Sequence, residues 1–249
     1  MLDDDPSWGE TASMGEQRKS VSTALSDRIR RDISLGIIPA GSRLNIDALK
    51  REHKISHPSV REALSMLVGE GIVGAADGKG FFVLDFSPEE QSDIARVRAE
   101  LECLAFSWSV KASDRNWRAA IVAAHHALQE VEQELILDPV GFALEWDERN
   151  ANFHIALTQN CGSPRLLDLV AQHYELGRRH RLTAHALAIP EDERRSWVET
   201  SAQEHAELKD AALEGDIARG QSLLRNHITK SANKYSALIL SMSSSKNVE

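Results

Sequence analysis

Ile55-Ser56-His57-Pro58-Ser59-Val60-Arg61-Glu62-Ala63-Leu64 reads as a turn running into a short helix that carries one well-placed arginine. Ser56 is positioned as the cap, because its hydroxyl can accept a free amide of the first turn, and Pro58 falls where a missing N–H costs little. Val60, Leu64, Leu67 and Val68 form the expected buried stripe, which leaves His57, Ser59 and Arg61 near the exposed N-terminal end. Gly69 and Gly71 stop the helix.

Upstream, Val21, Leu25, Ile29 and Ile33 recur at helical spacing up to Gly36. Pro39 and Gly41 then impose a tight extended turn before a second short helix over 46–53. Downstream, Ile72-Val73 and Phe81-Phe82-Val83-Leu84 read as two short strands joined through Asp77-Gly78, with Lys79 and the open backbone of Gly80 at the tip. Three helices followed by a hairpin make a winged helix-turn-helix, a shape suited to the major groove of double-stranded DNA.

Ser87-Pro88 opens a new helix, and from there the chain is helical almost to its end. Helices are expected over 88–111, 114–136, 139–160, 163–186, 190–214 and 216–241. The fold class is therefore mainly α: a disordered arm over 1–19, a winged helix-turn-helix over 20–86, an all-α antiparallel bundle over 87–241 and a flexible tail over 242–249.

The formal charge of −9 argues against a general nucleic-acid coat. Yet the acid lies elsewhere: residues 21–85 hold 9 basic and 8 acidic side chains, whereas 86–249 hold 18 and 25. Such a head binds DNA weakly alone, so a homodimer is expected. No apolar run approaches a membrane span, and the Asp-rich start is no signal peptide, so the expected place is the cytoplasm. Cys103 and Cys161 lack metal or disulfide spacing and read as reduced core residues.

Arg61 lies one turn inside the third helix, where a guanidinium can fork onto guanine or grip a phosphate. The competing reading is a salt bridge to Glu62 or Glu70. Arg43, after the Pro-Gly turn, is a candidate backbone contact, as are the N-terminal groups Ser56, His57 and Ser59. Lys79 and Gly80 offer a wing contact, against a solvated turn lysine. His154, His205 and His227 fall on three separate expected helices, and in a bundle such side chains can converge on one ion. Three imidazoles with an oxygen ligand suit zinc, nickel, manganese or iron(II), against ordinary hydrogen-bonded core histidines.

The run 35–44, the stretch 55–64 and Glu70-Gly71-Ile72-Val73 before a Gly-tipped wing resemble the GntR family of bacterial transcription regulators. Arg98-Ala99-Glu100-Leu101-Glu102, Asn152-Phe153-His154, Glu204-His205 with Ala211–Asp216, and His227 resemble the FCD-type helical domain of its FadR subfamily. Glu145-Trp146-Asp147 through Phe153-His154, then Cys161-Gly162-Ser163, is similar to the branch that includes a glutarate-responsive repressor of carbon-starvation genes.

The resemblance implies a homodimer on a palindromic operator, modulated by a small carboxylate effector. It also favours the metal reading of the three histidines, with one departure. Relatives that bind metal usually carry aspartate one turn before His154, where this chain has Asn150. A metal-free, directly hydrogen-bonded carboxylate is the alternative there. Asp147, two turns back, could reach only if the helix were placed differently.

By resemblance Arg98 points into the same cavity, with a ligand carboxylate or Glu102 at i+4 as its partner. In Arg178-Arg179-His180-Arg181, a cluster partly on the outer face, Arg178 is the effector candidate. Arg43 and Arg61 aside, His57 and Asp47 stand where the family often carries basic groups. The leading function is a ligand-responsive repressor. A metal enzyme built on the three histidines lacks a recognisable general base, and a constitutive DNA-binding protein with a merely dimerising bundle is the third reading.

Overall fold

The computed structural model describes residues 20–76, 78, 80–85 and 87–246. The expected arm over 1–19, the wing-tip Lys79 and the last residues 247–249 of the expected tail lie outside them. α1 (Val21–Ser34) starts at Ser20, whose side chain accepts from the Thr23 amide. Leu25, Ile29 and Ile33 are buried as expected, but Val21 is exposed, and Ser22 and Ser26 complete the inner face. α2 (Ile46–His53) follows a strand, β1 (Arg43–Leu44), where only an extended turn was expected.

α3 (His57–Gly69) begins as its sequence dictates, with Ser56 Oγ accepting from the Ser59 amide at 3.2 Å. Its buried stripe is Val60, Ala63, Leu64 and Leu67, while Val68 faces solvent. β2 (Val73–Ala76) and β3 (Gly80–Val83) pair antiparallel, and β1 adds to the far edge of β3 with Arg43 opposite Phe82. The expected hairpin is therefore a three-stranded sheet ordered β1-β3-β2. Gly78 and Gly80 take φ of 76° and 71°, a left-handed region that a branched side chain would enter only with strain.

The helical domain runs α4 (Pro88–Lys111), α5 (Arg115–Leu137), α6 (Pro139–Thr158), α7 (Pro164–Leu176), α8 (Arg178–Thr183), a π-helical turn (Ala184–Ala188), α9 (Glu191–Glu214) and α10 (Ile217–Lys246). Ser87, Asp114, Asp138 and Ser163 each cap the helix that follows them, so the expected breaks are real. Two expectations fail. The helix read over 163–186 is cut at Gly177, because Arg181 Nη1 donates to the Tyr174 carbonyl that a continuous helix would use. The tail placed at 242–249 is helical as far as Lys246.

Each domain has its own core. Leu25, Ile29, Val60, Leu64 and Val83 cluster in the head, and Phe106, Ile121, Leu128, Phe153 and Leu208 cluster in the bundle. The two meet where α1 packs on α8: Thr183 Oγ1 donates to the Ser34 carbonyl at 2.8 Å, and Leu35 packs against the bundle core. Cys103 and Cys161 are buried and free. Among the described residues no helix is long and apolar enough to cross a membrane.

Candidate nucleic-acid interface and metal centre

The head presents one concave face, lined by Arg43, Asp47, His57, Arg61 and Gly80. Arg61 is exposed on α3, with its guanidinium 6.0 Å from the Phe81 ring. The competing carboxylates are taken: Glu62 accepts from Ser22 Oγ at 2.6 Å, and Glu70 receives a two-pronged bond from Arg30. Among the described residues Arg61 has no carboxylate partner, so its five donors stand open to an acceptor outside the chain. Ser56 is spent as the cap, and its hydroxyl lies 2.8 Å from that of Ser59, which leaves both positioned by the helix start. The structure thus gathers Arg43, His57, Arg61 and Gly80 on one face.

The bundle gathers the three histidines. His154 on α6, His205 on α9 and His227 on α10 offer ring nitrogens that all lie within 4.8 Å of one another, and all three are buried. Each Nδ1 is held by a carboxylate: His154 by Glu102 at 2.6 Å, His205 by Glu132 at 3.0 Å and His227 by Glu204 at 2.7 Å. A carboxylate on Nδ1 fixes the ring and tautomer and turns Nε2 outward as a lone pair, the arrangement that surrounds bound metals. The buried Nε2 atoms of His154 and His205 have no hydrogen-bond partner among the described residues.

Asn150, one turn before His154, joins them. Its Nδ2 donates to the Tyr174 hydroxyl at 2.8 Å, and that hydroxyl donates to the Asp147 carbonyl at 3.1 Å, so the buried Oδ1 is left without a partner. Three neutral imidazoles and an amide oxygen fit a divalent transition ion. Burial pushes His154 down to about 3, which keeps it in the neutral, ligating form. Burial alone would raise Glu102, but the charge of Arg98 and the hydrogen bonds from His154 and Arg98 outweigh it and hold the carboxyl at about 2.

His154, His227 and Asn150 line a cavity of about 30 Å³ that Arg98 and Arg181 also line. Arg98 Nε donates to Glu102 at 2.6 Å, so the i+4 partner considered from sequence is present. Its Nη2 is nevertheless buried and unpartnered, and so is Nη2 of Arg181. Both guanidinium groups lie over the Tyr174 ring, at 4.4 and 3.8 Å. Arg178 does not line this cavity. It is half-buried and tied to Asp147 at 2.9 Å and Glu175 at 3.3 Å, and Arg181 from the same cluster takes the place expected of it. Asp147 does not reach the histidines either, because its oxygens are held by Arg178 and Arg181.

Sequence reasoning missed Glu132, Tyr174 and the choice of Arg181. Glu204 was visible only as the neighbour of His205, and nothing in the spacing connects Glu132 to a histidine 73 positions away.

Comparison with known proteins identifies the two domains. Residues 21–83 match the family described as bacterial regulatory proteins, gntR family, and residues 93–230 match the FCD domain. The chain belongs to the GntR family. It is similar to the HTH-type transcriptional regulator BphR of Paraburkholderia xenovorans, at 35% identity over 86% of this chain and 84% of that protein. It is also similar to the HTH-type transcriptional repressor GlaR of Escherichia coli, at 30% identity over 80% of this chain and 89% of that one. In fold it resembles E. coli McbR/YncC, with a TM-score of 0.67 and 19% identity over 88% and 98% of the two chains. As a GntR regulator the protein is a DNA-binding transcription regulator and not an enzyme.

The buried imidazoles of this regulator carry a pH cost with a definite sign. Burial lowers His154 and His185 to about 3 and His125 to about 4, from 6.5 in the free group. Below pH 6.5 the unfolded chain takes up protons that the folded chain refuses. Stability is therefore full above that value and falls as acid is added. The metal-stripped protein should melt at a lower temperature at about pH 5 than at about pH 7.5. An unchanged melting curve would mean that these rings accept protons within the fold.

Proposed function

We propose that this protein is a repressor that binds a palindromic operator as a homodimer and is modulated by a small carboxylate held, with a divalent metal ion, in the helical domain. One observation carries the effector reading. One cavity is lined by His154 and Asn150, whose Nε2 and Oδ1 are buried acceptors without partners among the described residues, and by Arg98 and Arg181, whose Nη2 atoms are donors in the same state, while His205 stands beside it within 4.8 Å of the other two histidines. Buried polar atoms without partners are rare and costly, and a cation beside an anion satisfies both sets.

His154, His205, His227 and Asn150 would hold the ion, which when bound supplies a Lewis-acidic anchor for a carboxylate. Arg98 and Arg181 orient that carboxylate, and the cavity of about 30 Å³ limits it to a small acid. Repression is supported by the likeness to the repressor GlaR. Dimerisation is supported by charge: a head of 9 basic and 8 acidic residues needs a second copy to gather enough phosphate contacts. The head over 20–86 and the effector domain over 87–241 then act as reader and sensor, in the cytoplasm where the operator lies.

The route between them is short. Arg181, which faces the cavity, and Thr183, which bonds the head, are both on α8. A ligand that draws on Arg181 competes with its bond to Asp147 and so bears on α8 and on the end of α1. Coupling then follows from the ligand favouring one placement of the head over another.

Three outcomes are expected. Arg61→Ala should weaken binding to the DNA upstream of its own gene by about ten- to a hundredfold in fluorescence anisotropy, the worth of a forked base contact; equal binding removes Arg61 as the reader. Protein purified without chelator should contain about one transition-metal ion per chain by elemental analysis, and His154→Ala should contain far less; no metal in either protein sinks the metal reading. Thr183→Val should leave operator affinity intact but blunt the release of DNA by whichever carboxylic acid a thermal-shift screen identifies. A full response in that variant would mean that the signal takes another route.

A further inference from the structure

We propose that Asn150 makes metal and anion binding mutually dependent in this protein, so that the divalent ion is held firmly only when a small carboxylate shares its cavity. The inference rests on the metal reading above and adds the linkage to it.

The donor set carries no charge. His154, His205 and His227 are imidazoles whose Nδ1 atoms face carboxylates, and the remaining oxygen comes from an amide. In this hydrogen-bond network Tyr174 donates to the Asp147 carbonyl and accepts from Asn150 Nδ2, which leaves Oδ1 as the amide atom without a partner. A neutral oxygen thus stands where a carboxylate would have supplied a negative charge.

The surrounding charges decide what that omission does. Glu102, Glu132, Asp147 and Glu204 face Arg98, Arg178 and Arg181, which leaves one negative charge in excess. Glu175 and Lys230 also touch this group, but they stand largely in solvent and are screened. A divalent ion would turn the excess into one positive charge, and a monocarboxylate would cancel it. Excess charge in a buried site is expensive, so each partner removes a cost that the other alone must bear. The carboxylate also meets the unpartnered Nη2 atoms of Arg98 and Arg181. By linkage the factor is the same in both directions.

Asn150→Asp supplies the missing charge from the protein itself, and this sets up the test. Zinc affinity of the full-length, metal-stripped protein is measured by competition with a chromogenic chelator in carboxylate-free buffer, then with formate or acetate added. In the wild type either acid should tighten zinc binding by about tenfold. Asn150→Asp should bind zinc tightly without the acid, and its gain on adding the acid should shrink to about twofold or less.

Zinc bound equally well by the wild type with and without the acids overturns the linkage while leaving the metal reading intact. An acid effect as large in Asn150→Asp as in the wild type overturns the role of Asn150. No zinc uptake under any condition overturns both readings. Should Asn150→Asp fold poorly, the wild type alone suffices through the reciprocal measurement. Formate or acetate should raise the melting temperature more in zinc-loaded than in zinc-free protein, and equal shifts overturn the proposal.

Discussion

The carboxylate of Glu102 is the contact on which the sensor depends. It is fully buried and shared by Arg98 at 2.6 Å and His154 at 2.6 Å, so one residue positions a donor for an anion and a ligand for a cation. Neither group could keep its place alone, because an arginine or a carboxylate without a counter-charge at that depth would cost several kcal/mol. The requirement propagates outward. Glu132 holds His205, Glu204 holds His227 and Asp147 holds Arg181, so α4, α5, α6, α8 and α9 contribute charges around the site as well as packing. The bundle is built to make a polar interior tolerable.

That requirement also explains the local geometry of the chain. At the break by Gly177 the Tyr174 carbonyl accepts from Arg181 Nη1, and a short helix starts that packs against α1 of the head. The π turn that follows buries His185 against Trp146, with their rings 4.0 Å apart, and bonds it to Tyr235. Such turns recur at functional sites because they re-aim side chains at a small cost in helix regularity.

Much of this could be read from the residues. The caps Ser56, Ser87, Asp114, Asp138 and Ser163 mark helix starts because a side-chain oxygen on a free amide is a local interaction, visible within four residues. The three histidines were legible as a group on separate helices. What stayed hidden is non-local. β1 exists only because Arg43 and Leu44 meet β3, and the Glu132 contact to His205 depends on how α5 packs on α9. Arg178 and Arg181 are alike in sequence, and only the break at Gly177 decides which of them faces the cavity. Val21 and Val68 show the same limit, since both fit the helical period and both face solvent.

The separation of the two hydrophobic cores gives the molecule a modular character. Head and bundle keep separate hydrophobic clusters, and their junction includes Leu35, the Thr183 to Ser34 bond and the packing of α1 on α8. A different reading head could be spliced onto this bundle, by recombination or by design, without repacking either interior. It would need to bring an α1 that ends with a free carbonyl and an apolar residue at the same height. The specificity for DNA and the specificity for a metabolite are therefore free to drift apart.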